Sequence, residues 1–290
     1  ARPIRIPEKY DGDLLLDFLT RKFRHLTRDF WQEEIEGKRI CNADGEPVKA
    51  DQIVRVGERY FRISPKESEP LVNPDVRLLF EDEAIVVIEK PAPLPVHPCG
   101  RFNRNTVQFF LEKVYAPQKP HIAHRLDADT TGLMVVARTK HFASRLQPQF
   151  ACGQVNKTYL ARVHGRPLED RFVCDLALSD GLSANGKREA ASDGLVARTE
   201  FTVLKRYEDG TALLEVRPIT GRTNQIRIHL WELGFPICGD PRYLPGRRLG
   251  NVQSKTISDT PLCLHSKSIE FFHPLSRERM KFEKSDVAWA

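Results

Sequence analysis

Glu200-Phe201-Thr202-Val203-Leu204-Lys205-Arg206-Tyr207-Glu208-Asp209-Gly210-Thr211-Ala212-Leu213-Leu214-Glu215-Val216 decides the fold class. Glu200 to Tyr207 and Thr211 to Val216 are strand-length runs, and Asp209-Gly210 between them is a turn pair, so the segment reads as a tight hairpin. A hairpin makes neighbouring strands antiparallel, whereas a doubly wound parallel sheet needs a helix after each strand. Upstream, Thr158 to Val163 alternates, with Tyr159, Ala161 and Val163 on one face and Thr158, Leu160 and Arg162 on the other. Ala84 to Ile88 and Met134 to Ala137 are short apolar strands. Helices are occasional: Thr106 to Tyr115, with Val107, Phe110, Leu111 and Val114 on one face, and His141 to Phe150. In Gly221 to Gly234, Ile226, Ile228 and Leu230 alternate, but Ile226, Leu230 and Leu233 also share a helical face. Thr223 as a cap, the length and the closing Gly234 select helix. The pattern predicts an α+β domain on a mixed, mainly antiparallel sheet.

The first 70 residues read as a separate small α/β unit. Asp13 to Leu19 begins an amphipathic helix, and Thr27 caps a second one that carries Trp31 and Ile35 four residues apart. Strand-like pieces follow around Ile40, at Ile53 to Val56 and at Tyr60 to Ile63. Residues 64–74 hold Pro65, Pro70 and Pro74 and read as a linker, which leaves 71–290 as the larger domain. The chain has 290 residues and a net charge of +6. Residues 1–70 are neutral, with 14 Lys+Arg against 14 Asp+Glu, so the basic surplus lies in residues 71–290. Such a surplus favours polyanionic partners. Within the first unit, Arg21, Lys22, Arg24 and Arg28 form a local stripe. Arg21, Arg24 and Arg28 recur at helical spacing, on a face that is either solvated or in contact with a polyanion.

Nothing approaches eighteen consecutive apolar residues, so no membrane span is expected. The Arg-rich start has no apolar core for a signal peptide. Six scattered cysteines without a C-x-x-C pair read as reduced thiols, and a cytoplasmic monomer is expected. His97 and Cys99 with His121 and His124 come nearest to metal-ligand spacing. They leave open a metal-dependent hydrolase reading in which Asp127 joins the histidines.

His124-Arg125-Leu126-Asp127 precedes the Met134–Ala137 strand and puts a carboxylate in a polar loop, two residues from a cation. On spacing alone Asp127 is a turn residue that bonds its own backbone, as Asp129 and Thr130 also do. Two further stretches change that weighting, Lys157-Thr158-Tyr159-Leu160-Ala161 and Gly221-Arg222-Thr223-Asn224-Gln225-Ile226-Arg227-Ile228-His229, and downstream come Gly234, Pro236-Ile237 and Gly239-Asp240. With Asp82 to Pro91, Val96-His97-Pro98 and Leu262-Cys263-Leu264-His265 in this order, residues 76–285 resemble the RluA-like family of RNA pseudouridine synthases. The N-terminal unit loosely resembles the alpha-L type RNA-binding domain.

The resemblance implies isomerisation of uridine within ribosomal or transfer RNA, with no metal or organic cofactor. It implies that Asp127 is the essential carboxylate, that Arg227 pairs with it, and that Tyr159 stacks on the target base and takes part in proton removal. Arg125 would fill the space left by the flipped base, its alternative being an internal salt bridge. Arg222 would contact RNA, and so would Arg21, Lys22, Arg24 and Arg28. Asn224 stands where the family usually has His, and Pro93 where the opening turn more often has Gly. A non-catalytic RNA-binding protein on the same fold is the competing reading.

Overall fold

The structure, a computed structural model, describes residues 3–63, 69–181, 190–191, 194–251 and 255–290. It divides into two units, residues 1–68 and 69–290. In the first unit come β1 (Ile4–Arg5), α1 (Leu15–Lys22), α2 (Arg28–Glu36), β2 (Ile40–Cys41) and β3 (Arg59–Arg62), with strand order β1-β3-β2. Leu15, Phe18 and Leu19 from α1 meet Trp31 and Ile35 from α2 over Ile40 and Tyr60, which is the burial that the amphipathic spacing calls for. Thr27 caps α2, its hydroxyl accepting from the Phe30 N–H at 3.2 Å. Ile53 contributes only an isolated bridge to Leu14 rather than a strand.

The basic stripe is not one helix face. α1 ends at Lys22, and α2 starts at Arg28 after the break at Phe23, so Arg21, Arg24 and Arg28 fall on different elements. Arg21 is bound to Asp13 and Arg28 to Asp17, while the Lys22 ammonium donates to the Arg5 carbonyl at 2.7 Å. The even balance of acids and bases in this unit therefore shows up as local pairing. Arg24 is exposed.

The second unit contains β4 (Arg77–Glu81), β5 (Ile85–Lys90), α3 (Val107–Val114), β6 (His121–Ile122), β7 (Thr131–Ala137), α4 (Lys140–Ala151), β8 (Asn156–His164), β9 (Arg171–Cys174), β10 (Thr199–Arg206), β11 (Thr211–Pro218), α5 (Gln225–Glu232), β12 (Tyr243–Leu244), β13 (Arg248–Leu249), β14 (Leu264–Phe272) and β15 (Arg279–Glu283). The main sheet runs β4-β5-β7-β14-β8-β11-β10-β9, with β15 on β14 and β6 on β7. Its pairs are antiparallel except for β7 with β14. The fold is α+β, and the β10–β11 hairpin sits where its turn residues require. Gly210 takes φ +83°, a left-handed value that glycine adopts without steric cost.

β5 and β7 read as continuous apolar runs because the sheet is covered on both faces. Val86, Ile88, Met134 and Val136 enter one core together with Tyr159, Leu126 and Ile226. Ile85, Val87, Leu133 and Val135 enter the other, beneath Ala143 and Leu146 of α4. Gly132 is the second residue of β7, just after the Asp127 loop. Its φ is +110°, and a Cβ there would lie 2.4 Å from the Ser266 carbonyl oxygen, so only glycine allows β14 to run this close. Val114, expected on the buried face of α3, is instead exposed at its end. Among the described residues no helix is long and apolar enough to cross a membrane.

Candidate active site

Asp127 lies in the loop between β6 and β7, on the wall of a cleft of about 350 Å³. Arg125, Leu126, Lys157, Tyr159, Arg222, Asn224 and Arg227 line the same cleft. Three elements far apart in sequence thus converge: the loop before β7, the start of β8 and the N-terminus of α5.

The loop is held from beneath. Lys90, at the end of β5, is fully buried, and its ammonium donates to the carbonyls of Pro91 (2.8 Å), Leu94 (2.9 Å) and Ala128 (3.0 Å). Burial pulls its pKa down to about 7 against the charges of Asp129 and Asp127. Three carbonyl acceptors match the three N–H donors of an ammonium, which holds the charged form in place. Thr130 N–H closes a turn on the Asp127 carbonyl at 3.1 Å. Asp129 does not bond its own turn: its carboxylate accepts from the Lys255 N–H at 3.1 Å. Burial raises the Asp129 pKa, opposed by that N–H and by Arg227 and Lys90.

His124 sets the start of the loop. Its Nε2 accepts the β7 N–H of Val135 at 3.1 Å, and its ring stacks on Phe150 with centroids 4.3 Å apart. An acceptor nitrogen must be unprotonated. Burial first, then the Lys157 charge, push the pKa down to about 3. The native state is therefore neutral where the unfolded chain takes a proton below about pH 6.5. Stability from this histidine is complete above about 6.5 and declines as pH falls towards 3, by at most about 1.4 kcal/mol per pH unit. Burial also lowers the pKa of His229 and His265, which add to the slope. Denaturant melts between pH 7 and 4 are expected to show this decline, with a shallower slope in His124→Gln. An equal slope in parent and variant would remove His124 from the account.

Arg227 is the electrostatic centre. Its Nε and Nη2 donate to both oxygens of Asp240 at 2.7 and 2.8 Å, a bidentate pair that is almost entirely buried. Only Nη1 remains, and it is shared between Asn224 Oδ1 at 3.1 Å and Asp127 Oδ2 at 3.4 Å. Burial alone would lower the arginine's pKa; Asp240 and then Asp127 more than offset this and raise it. The Arg227–Asp127 contact expected from the motif is thus present but long, and the main partner is Asp240. That residue was visible only as part of Gly239-Asp240, with nothing in its spacing to show that it meets Arg227. Asp240 also accepts the N–H groups of Arg242 and Tyr243, and the Tyr243 ring lies 5.2 Å beneath the guanidinium.

Asn224, not Thr223, is the N-terminal cap residue of α5. It adopts φ +57°, a left-handed conformation that Asn tolerates better than most residues. Its side chain gives no cap bond. It faces Arg227 and, through its amide nitrogen, the Tyr243 hydroxyl at 3.5 Å. The departure from His at this position therefore keeps a polar link into the arginine network.

Tyr159 is buried on β8 with its ring in the cleft wall. Burial first, then the negative charge of Asp127, push its phenol well above the ordinary value, so the hydroxyl stays protonated in the free protein. Arg125 is exposed at the cleft and has no ion pair among the described residues, so its salt-bridge alternative has no partner there. Arg222 is exposed, with Nε donating to the Val196 carbonyl at 3.2 Å. Among the described residues no three His, Cys, Asp or Glu side chains converge on a metal-binding arrangement, which leaves the hydrolase reading without a ligand set.

The RNA pseudouridylate synthase family profile matches residues 84–232. The chain is 32% identical over 259 residues to RNA pseudouridine synthase 7 of Arabidopsis thaliana, covering 86% of this chain and 65% of that protein. It is 30% identical over 303 residues to ribosomal large subunit pseudouridine synthase D of Pseudomonas aeruginosa, covering 99% of this chain and 94% of that one. The solved structure of human RNA Pseudouridylate Synthase Domain Containing 4 superposes with a TM-score of 0.59 at 30% identity, over 73% of this chain and 89% of that chain. The chain belongs to the RNA pseudouridylate synthase family, of the RluA-like type that its motifs indicate. It spans 65%, 46% and 42% of the plant, human and mouse relatives.

Proposed function

We propose that this chain converts specific uridines of structured ribosomal or transfer RNA to pseudouridine. The observation that carries this reading is the meeting of Asp127, Arg227 and Tyr159 in one cleft, whose wall among the described residues holds a single carboxylate and four cations. A fold kept for RNA binding alone has no need of that carboxylate, which repels phosphate. The near end-to-end match to a relative named for the large ribosomal subunit supports a ribosomal target.

In the proposed reaction the target uridine leaves its stack and enters the cleft, at a cost of a few kcal/mol. Arg125, exposed beside Asp127 and without an ion pair among the described residues, is placed to occupy the space the base leaves and to stack on its neighbours. Asp127 acts at the sugar–base unit while Arg227 supplies a fixed positive charge beside it. The bond from C1′ to the ring nitrogen breaks, the base turns against the Tyr159 ring, and a bond from C1′ to ring carbon C5 forms. The C5 proton is then lost and the nitrogen regains one, so substrate and product are isomers. With its phenol held protonated, Tyr159 serves as the wall for the base, and its hydroxyl enters proton transfer only as a donor or relay. No step needs a metal or organic cofactor.

The basic surplus of residues 71–290 would follow the phosphate backbone, so affinity should fall with salt. The N-terminal unit is proposed as a second RNA contact. Arg24 is available there directly, whereas Arg21 and Arg28 would have to exchange Asp13 and Asp17 for phosphates. Pseudouridine mapping across cellular RNA, with and without this protein, tests the reading. Loss of one or a few sites is expected, and an unchanged map would reject it.

A further inference from the structure

Lys157 has no task in the mechanism above, yet its position is specific. It stands two residues before Tyr159 on β8, so strand alternation turns both side chains to the cleft, about 6.7 Å apart along the strand. Its ammonium has neither an ion pair nor a hydrogen bond among the described residues. The Nζ lies 3.4 Å from where a Cβ on Gly221 would sit, so the glycine keeps that approach open. The Lys157 charge acts on the His124 ring, which is not anionic. Among the described residues Asp127 is the one acid of the cleft wall, and its charge acts on the Tyr159 phenol. Along β8 the ammonium and the tyrosine ring are successive cleft-facing side chains. A partly buried cation without an internal counter-ion costs stability in the free protein, as sites held ready for a ligand do.

We propose that Lys157 binds a phosphate flanking the flipped uridine and thereby fixes its ribose against Asp127. This rests on the uridine-isomerising reading. The target carries a phosphate on each side of its ribose, and a nucleotide with its base on Tyr159 has one of them at the Lys157 end of the cleft. A compact ammonium suits a single phosphate oxygen, and Arg125 and Arg222 remain for neighbouring backbone.

The test uses a synthetic stem-loop spanning a mapped target uridine. One form carries ordinary phosphates, and two others carry a single neutral methylphosphonate on the 5′ or the 3′ side of that uridine. For Lys157→Met the dissociation constant is expected to rise on the order of tenfold, the loss of one charge-assisted contact. The slope of log affinity against log salt should become shallower by about 0.7. The loss should fall on KM more than on kcat, Lys157→Arg should recover most of the affinity, and the melting temperature should not drop. One methylphosphonate should weaken the parent as much as Lys157→Met does and cost the variant nothing further. The proposal is overturned if Lys157→Met binds the all-phosphate RNA within twofold of the parent, if the two penalties add, or if kcat falls with affinity intact, which would place the ammonium at the base. Should Lys157→Met fail to fold, Lys157→Gln with the same three RNAs decides. Retained activity in Asp127→Ala would reject the reaction reading while leaving this binding comparison valid.

Discussion

Asp127→Ala is expected to abolish pseudouridine formation, by roughly 10⁴-fold or more in single-turnover rate, with RNA binding retained. The effect should be this large because, among the described residues, no other carboxylate lines the cleft and could take over. The variant should fold. Asp127 is partly open to solvent, and the loop is held by Lys90 under Ala128, by the Thr130 turn and by the Leu94 N–H on the Ala128 carbonyl, none of which uses the Asp127 side chain. Removing the carboxylate also removes a negative charge from a site that must accept phosphates, so affinity should hold or rise. Asp127→Asn sharpens the test, since it keeps shape and hydrogen bonding and loses only the charge. Product formation is measured on a mapped target RNA, and a rate within tenfold of the parent in either variant would exclude Asp127 as the reacting group.

The second large effect is expected at Asp240, which never reaches the open cleft. Asp240→Ala removes the bidentate partner of a buried guanidinium and the carboxylate that accepts two turn N–H groups. Breaking a buried ion pair from one side costs about 3–5 kcal/mol, since the remaining charge stays desolvated. Urea melts should show that loss, and activity should fall as well because Arg227 is no longer aimed. Asp240→Asn separates the two roles. It keeps an acceptor for the Arg242 and Tyr243 N–H groups, so stability should recover in part. Arg227 is then freed to turn its charge wholly onto Asp127, which should alter the pH dependence of kcat more than KM. A melt of Asp240→Ala within about 1 kcal/mol of the parent would mean that Asn224 and Tyr243 suffice to hold Arg227.

What could be read along the chain was what neighbours in sequence settle. The β10–β11 hairpin, the alternation of β8, the Thr27 cap and the length of α5 all depend on contacts within a few residues. The same locality explains the misreadings. Arg21, Arg24 and Arg28 have helical spacing, but periodicity alone cannot show that the backbone breaks at Phe23 and that aspartates take up two of the three. Thr223 was the better cap by residue type. Asn224 is the cap because the link from β11 must turn through a left-handed residue before the helix starts. Asp129 resembled a turn aspartate and instead bonds a backbone N–H 126 positions away.

The sequence by itself determined the α+β class, the family motifs and three candidate residues that the structure brings to one cleft, because residue type and order carry that information without coordinates. Only the tertiary structure decided how those residues are supported. Lys90 lies beneath the loop, His124 accepts an N–H from β7, Asp240 takes two of the three donor positions of Arg227, and Lys157 has no partner among the described residues. Each is a pairing, or the lack of one, between groups distant along the chain. The strength and direction of a charge depend on burial and on what stands within hydrogen-bond reach, and both exist only once β7, β8 and α5 have closed around the cleft.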